Sequence, residues 1–312
     1  MRTIVGILVV LLAGVASGAP PQTMDFSSGV PADYFTLETA GSVRVSAVGN
    51  TQVMVVSDAT ACFQDVKVKP SAKYTLKLES AFTGAVESIE ENPRFEIFTR
   101  LGQSGPHLPS REMRFYDTAG KPVGRSILCA MPFKNQRTYQ DVFHTPSDAA
   151  TVRISVASGI GVELVLSRLD ITETKDEEAL NVNPSFQLGP YNYSGWQNIS
   201  AGGQLIQRDG KTIFDTKYGS TGQMIPLPEP GTYALSAKAT SNGYNSVVIV
   251  RVYDAQGKEL MQTSTRRYGP PTYFVLPRDA AYASFLVYSC LLEEVRLLRV
   301  GDENAIESLR EK

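Results

Sequence analysis

The chain has 312 residues, room for two domains of ordinary size, and sets 30 basic residues against 32 acidic ones. That balance, with Lys and Arg scattered instead of clustered, excludes the electrostatic footprint of a nucleic-acid binder. No nucleic-acid partner is expected.

In chain order, Met1 to Ala19 comes first: one early charge at Arg2, an apolar run from Ile4 to Ala16, then Ser17, Gly18 and Ala19. A run of about 13 residues is too short to span a bilayer, and small residues follow it where a peptidase cuts. Residues 1–19 are therefore expected to be a secretory signal peptide cleaved near Gly18. No later stretch is long and apolar enough for a membrane helix, so the mature chain is expected to be secreted, either extracellular or periplasmic.

The mature chain then repeats itself, with matching landmarks 130 to 160 residues apart. The first copy reads Tyr74-Thr75-Leu76, then Phe115-Tyr116-Asp117-Thr118-Ala119-Gly120-Lys121, then Pro146-Ser147-Asp148-Ala149-Ala150, and closes on Val162 to Leu166. The second reads Tyr233-Ala234-Leu235, then Val252-Tyr253-Asp254-Ala255-Gln256-Gly257-Lys258, then Pro277-Arg278-Asp279-Ala280-Ala281, and closes on Leu292 to Leu297. One repeat of this period means two domains. The expected organisation is domain one at 20–173, a polar linker at 174–180, domain two at 181–301 and a charged tail at 302–312. Tyr74 to Tyr116 spans 42 positions and Tyr233 to Tyr253 only 20. Domain one thus carries an insertion of about 22 residues near 84–110, where a shared scaffold acquires its own role and where Phe95 to Phe98 could add a strand.

None of the landmarks is helical. Val152 to Val156 and Val247 to Tyr253 are rich in β-branched residues, and the first alternates as a strand with one covered face does. Asp117 to Lys121 and Asp254 to Lys258 read as tight hairpin turns, the Asp bonding the backbone ahead of it and Gly120 or Gly257 supplying positive φ. Pro146 and Pro277 precede apolar strands, where a missing N–H is tolerated. Short strands at regular turn spacing predict an antiparallel β-sandwich in each copy. Cys62 and Cys129 are either a disulfide or two small buried hydrophobes, and Cys290 is left over inside an apolar strand.

Further motifs carry a family resemblance. Asn183-Pro184-Ser185-Phe186-Gln187-Leu188-Gly189 followed by Ser194-Gly195-Trp196 is similar to the N-x-x-F-E-x-G…G-W opening of galactose-binding-like jelly-roll domains, which occur as carbohydrate-binding modules. Pro230-Gly231-Thr232-Tyr233 resembles their P-G-x-Y-x-L strand, and Leu292-Glu293-Glu294-Val295-Arg296-Leu297 their final D-D-V-x-L strand. The first copy keeps Phe26 and Gly29 of the opening. The resemblance implies an all-β chain of two tandem jelly-roll sandwiches and a glycan-binding role. Such domains often hold a structural calcium through the opening Glu, which here is Gln187 in one copy and Ser27 in the other. With Asp170, Glu293 and Glu294 as the remaining donors, no cofactor or metal is expected.

A search for catalysis finds little. His107 sits in a Gly-Pro-His loop, and His144 in a strand, facing water or a neighbour. Gly102-Gln103-Ser104-Gly105 lacks the setting of a nucleophile turn. Adjacent carboxylates such as Glu90-Glu91 or Glu293-Glu294 point to opposite faces of a strand, the wrong geometry for flanking a glycosidic bond. No enzyme is expected.

Sugars need aromatic platforms together with polar side chains. The richest supply is in the second copy: Trp196, Tyr218, Tyr244 in the Ser241-Asn242-Gly243-Tyr244-Asn245 loop, Tyr268 before Gly269-Pro270-Pro271, and Arg251 on a strand. Trp196 has a competing reading as sandwich core, whereas Tyr116 and Tyr253, which recur in both copies, read as framework. The expected function is an exported, non-catalytic carbohydrate-binding protein recognising polysaccharide or glycan, two linked modules raising avidity for a repeating polymer. The rival is a structural or interaction protein of the cell surface or matrix, partnered by itself or another surface protein.

Overall fold

The structure is a computed structural model that describes residues 23–25, 35–37, 42–48, 51–58, 60–63, 65–88, 91, 108–131, 133–174, 179–188, 195–196, 203–216, 220–227, 229–241, 247–266, 269–288, 290–302 and 305. The described elements are β-strands, paired antiparallel into two sandwiches.

The first sandwich is built from β1 (Thr23–Asp25), β2 (Phe35–Leu37), β3 (Ser42–Val48), β4 (Thr51–Ser57), β5 (Thr60–Phe63), β6 (Val66–Lys67), β7 (Lys73–Gly84), β8 (Ser110–Tyr116), β9 (Pro122–Ala130), β10 (Arg137–His144), β11 (Thr151–Ala157) and β12 (Val162–Glu173). One sheet runs β10-β7-β12-β4-β3 with β1 also on β12; the other runs β2-β5-β11-β8-β9 with β6 also on β11. The reason these segments are strands is visible in β7, where Tyr74, Leu76, Leu78 and Phe82 are buried and alternate with Lys77 and Glu79. They meet Met113, Phe115, Ile154 and Leu166 in one core.

The second sandwich comprises β13 (Gln204–Arg208), β14 (Lys211–Asp215), β15 (Ser220–Pro226), β16 (Thr232–Ser241), β17 (Val247–Tyr253), β18 (Glu259–Arg266), β19 (Thr272–Val275), β20 (Tyr282–Tyr288) and β21 (Cys290–Gly301). Its sheets are β13-β14-β21-β16-β19 and β15-β20-β17-β18, closed over Tyr233, Leu235, Val250, Phe285 and Leu297.

The repeat is physical as well as textual. In each hairpin the Asp Oδ1 accepts from two backbone amides: Ala119 and Lys121 at 2.9 Å for Asp117, Gln256 at 3.0 Å and Lys258 at 2.8 Å for Asp254. Gly120 and Gly257 take φ of 77° and 86°, as the turn requires. Tyr74 stacks on Phe143 and Tyr233 on Phe274, both at 6.2 Å between centroids. Pro146 and Pro277 each cap a turn that leads into β11 or β20.

The closing strand corrects one alignment. Tyr74 pairs with Glu173, and Leu76 with Ile171; Tyr233 pairs with Arg299, and Leu235 with Leu297. Both strands carry a one-residue bulge at the same place, Ser167 in β12 and Glu293 in β21. The counterpart of Glu294-Val295-Arg296-Leu297 is therefore Arg168-Leu169-Asp170-Ile171, not Val162 to Leu166. Sequence similarity slid the two strands because the acids and bases at these positions are interchanged.

The strand order also decides between the two alternatives for Cys62 and Cys129. Cys62 on β5 and Cys129 on β9 are separated in the sheet by β11 and β8, about 14 Å at ordinary strand spacing. A disulfide needs Cα atoms within about 7 Å. Cys129 is a free thiol, as is Cys290.

Of the expected linker, Thr174, Ala179 and Leu180 are described. The Leu180 N–H donates to Leu297 O of the second sandwich at 2.7 Å, and Leu180 O lies 2.5 Å from His144 Nε2 of the first. Lys73 Nζ donates to Ala179 O. One peptide is thus bonded on both sides, which ties the sandwiches together more closely than a free tether does. Most of the expected 84–110 insertion, including Phe95, Phe98 and His107, lies outside the described residues, as does most of the 302–312 tail.

Candidate functional site

Strand alternation decides which side chains reach the outside of the β15-β20-β17-β18 sheet. Val248, Val250 and Val252 point into the core and so do Ala283, Phe285 and Val287. Ile249, Arg251, Tyr253, Tyr282, Ser284 and Leu286 therefore stand on the outer face. Register aligns them in rows: Arg251 lies between Ser284 and Gln262, and Tyr253 between Tyr282 and Glu259. Tyr253 and Tyr282 stack at 5.1 Å with their planes 18° apart. Arg251 Nε donates to Gln262 Oε1 at 3.1 Å and lies 3.9 Å from Glu259 Oε2. Met224, 49 % exposed on β15 and paired with Ser284, extends the face.

The face combines two stacked rings with a guanidinium, an amide, a carboxylate and a hydroxyl within neighbouring rows. Rings offer C–H stacking surfaces, and the polar groups can pair with hydroxyls. Recurrence in both copies places Tyr253 in the framework, and no local motif singles out Tyr282. The alternation of Ala283, Phe285 and Val287 was the signal that puts Tyr282 outside.

The other predicted site residues fare differently. Trp196 is 4 % exposed, packed against Phe186 at 5.0 Å, Phe214 at 6.4 Å and Phe285 at 6.5 Å, with Nε1 donating to Asn183 O at 3.1 Å. Both ring faces are against protein, so Trp196 is core and leaves the candidate set. Tyr218, Tyr244 and Tyr268 lie outside the described residues. Of the five, Arg251 alone is both described and on an open face.

The equivalent face of the first sandwich is occupied by its own side chains. Arg114 and Tyr116 match Arg251 and Tyr253 in the repeat. Here the Arg153 guanidinium lies 4.9 Å over the Tyr116 ring. Asp65 holds it in a bidentate pair at 2.7 and 3.0 Å. Arg114 Nη2 bonds Glu112 at 2.8 Å. Where the second face offers a second tyrosine, the first has a cation seated on the ring.

The buried ionisable groups Arg111, Asp141, Cys129 and His144 lie away from both faces. Arg111 of β8 crosses to Asp141 of β10 on the opposite sheet. It bonds both carboxylate oxygens, Nη2 to Oδ1 at 2.7 Å and Nε to Oδ2, and donates Nη1 to Ala130 O at 2.8 Å. Burial works against the guanidinium's charge, but the Asp141 carboxylate outweighs it and holds the proton more firmly than usual. Cys129 beside them is pushed up to about 12, by burial first and then by the Asp141 charge. That thiol is no nucleophile. His144 is pushed down to about 4 by burial and by the neighbouring Lys73 ammonium, against the pull of its Leu180 bond. Its Nε2 is engaged and its Nδ1 is buried; it faces a neighbour and not a substrate.

Calcium does not fit the closing strands. Arg168 Nε holds Asp170 Oδ2 at 2.7 Å. Glu294 is held by Lys238 Nζ at 2.5 Å and by Arg296 Nε. Side-chain cations thus stand on the carboxylates that a metal would need, and Gln187 donates its amide to Ser185 O at 2.8 Å. Asp170 Oδ1 is a single buried oxygen without a partner among the described residues, whereas calcium takes six to eight. Among the described residues no group of three or more His, Cys, Asp or Glu is placed to hold a metal. No helix among them is long and apolar enough to cross a membrane.

No protein family profile matches this chain, and no curated protein matches it. Solved structures do resemble it. The CBM22-1-CBM22-2 tandem domain of Paenibacillus barcinonensis Xyn10C is similar over 89 % of this chain and 97 % of its own, at 10 % identity and a TM-score of 0.34. A family 16 carbohydrate-binding module is similar over 43 % of this chain and 86 % of its own, at 14 % identity and a TM-score of 0.31. The enzymatically active domain of bacteriophage CBA120 tailspike protein 4 is similar over 48 % of this chain and 20 % of its own, at 17 % identity and a TM-score of 0.33. The strand pairing described above defines the tandem β-sandwich fold independently of these likenesses.

Proposed function

We propose that the protein is an exported, non-catalytic glycan-binding protein whose site is the outer face of the β15-β20-β17-β18 sheet in the second sandwich. The observation that carries the reading is the stacked Tyr253–Tyr282 pair one row from Arg251, Gln262 and Ser284 on an open sheet face. The opening, P-G-x-Y and hairpin motifs of the sequence support it. In the first sandwich Arg153 sits on Tyr116, so one site per chain is favoured over two, and avidity between modules contributes little. The Tyr244 and Tyr268 loops adjoin this sheet in sequence, next to its Val247–Arg266 end.

The test is binding of the purified protein to a panel of insoluble polysaccharides and a glycan array, with Tyr282→Ala and Tyr244→Ala in parallel. Saturable binding weakened in Tyr282→Ala supports the face; retention on no glycan at all removes the reading. The rival, a structural component of a surface or matrix, is favoured by one feature, the unguarded outer edge of β3.

A further inference from the structure

Every sandwich has edge strands whose unpaired N–H and C=O groups invite another chain, and proteins blunt such edges with prolines, bulges, charges or shortness. Most edges among the described residues are blunted; β10 and β13 lack proline, glycine and bulges but carry exposed charges at Arg137 and Arg208. β2 and β19 are three and four residues long. β9 carries Pro122, Gly124 at φ 65° and a bulge opposite Met113 and Phe115. β15 contains Gly222 and Pro226, and β18 is bulged and bears Glu259 and Arg266 at its ends.

β3 has none of these devices. It ends its sheet path and pairs only with β4 among the described residues. Its seven residues, Ser-Val-Arg-Val-Ser-Ala-Val, include neither proline nor glycine, and no bulge interrupts its register. Its single charge does not guard the edge. Arg44 is drawn back across β4, with Nη2 3.0 Å from Glu163 on β12. Val45 is 44 % exposed although its register partner, Met54, is fully buried in the core.

The backbone also specifies a register. Val48 and Thr51 close the β3–β4 hairpin over two residues, so Val43, Val45 and Ala47 turn their N–H and C=O groups away from β4. We infer that β3 is a self-pairing edge that joins two copies of this chain antiparallel about Val45. In that register Val45 faces Val45 of the second copy, Val43 faces Ala47, and each Arg44 faces Ser46. About six inter-chain backbone hydrogen bonds form, and the exposed valines cover one another. Sliding by one step to bring Arg44 opposite Arg44 sets like charges together and is disfavoured. The sheet then runs unbroken through both first sandwiches, and the proposed glycan faces lie on the second ones.

The test is sedimentation velocity of the purified protein from low micromolar to the highest soluble concentration. It is joined by oxidation of Val45→Cys and Arg44→Cys variants in a Cys62→Ala background. The expected results are a monomer–dimer equilibrium whose dissociation constant rises about tenfold or more in Val45→Lys, and a disulfide-linked dimer from Val45→Cys but not from Arg44→Cys. Facing residues in such a pair have Cα atoms about 5.5 Å apart, within disulfide range. Thermal unfolding of each variant separates loss of pairing from loss of fold. A protein that stays monomeric throughout overturns the inference. So does a dimer indifferent to Val45→Lys, or one cross-linked equally by both cysteines, since each places the contact elsewhere.

Discussion

Asp170 and Arg296 occupy the same position in their respective sandwiches and carry opposite charges. Each sits two residues from an ion-pair partner on its own strand, Arg168 at 2.7 Å in one case and Glu294 in the other. The residue facing that partner on the adjacent strand is inverted too, Glu79 in the first copy and Lys238 in the second. The pattern is preserved as an alternation of sign, so what matters at this place is pairing and not the identity of the acid. Arg168→Glu puts three carboxylates together and is expected to cost about 1 kcal/mol, most of which Asp170→Arg restores when added to it. Urea unfolding of the single and double variants reads this directly.

The same ion pairs predict indifference to calcium. Saturating calcium or a chelator should leave the melting temperature unchanged within about 1 °C, because a ligand stabilises only by binding the native state. A rise of several degrees with calcium would show that the cationic side chains do not fill its place.

Arg111 and Asp141 join the two sheets of the first sandwich from within, their side chains 6 % and 4 % exposed. Asp141→Ala leaves an uncompensated buried guanidinium and should cost about 3–5 kcal/mol in chemical denaturation. An Arg111→Met/Asp141→Leu double variant should lose far less, since replacing a buried pair with apolar groups is often close to neutral.

His144 makes stability depend on pH. Its native pKa is about 4 against 6.5 unfolded, so between those values the unfolded chain binds more protons. Stability therefore falls as pH drops through this window, by an order of 2–3 kcal/mol for this group at its lower end. His144→Gln keeps a donor for Leu180 O and should flatten that part of the profile relative to wild type. Equal slopes in the two proteins would place the dependence on other groups.

The free thiols should be inert in the native protein. Cys129 near 12 and Cys290 pushed up to about 11 by burial predict that neither is alkylated at mildly alkaline pH until denaturant is added. Peptide mapping after alkylation, with and without denaturant, checks each site separately.

Much of the fold was legible because turn chemistry is local. Asp117 and Asp254 announce their hairpins by side-chain bonds to the next few amides, and Tyr74 and Tyr233 mark the start of equivalent strands. The closing strand was misaligned because register is a long-range property: only pairing with β7 and β16 shows that a bulge precedes Arg168 and Glu294. The site was less legible. An aromatic residue reads the same whether it stacks on a sugar or on Phe186, and burial, which alone separates the two, moved Trp196 into the core. Tyr282 was missed for the converse reason, its outward direction being fixed by the alternation of buried neighbours on β20.

The placement of the site on the second sandwich is tested most directly by calorimetric titration of the best-retained oligosaccharide into wild-type protein, Arg251→Ala and Arg114→Ala. One site per chain is expected, with affinity reduced about tenfold or more in Arg251→Ala and unchanged in Arg114→Ala. Unchanged affinity in Arg251→Ala, or binding lost in Arg114→Ala instead, would contradict the placement of the site on the second sandwich.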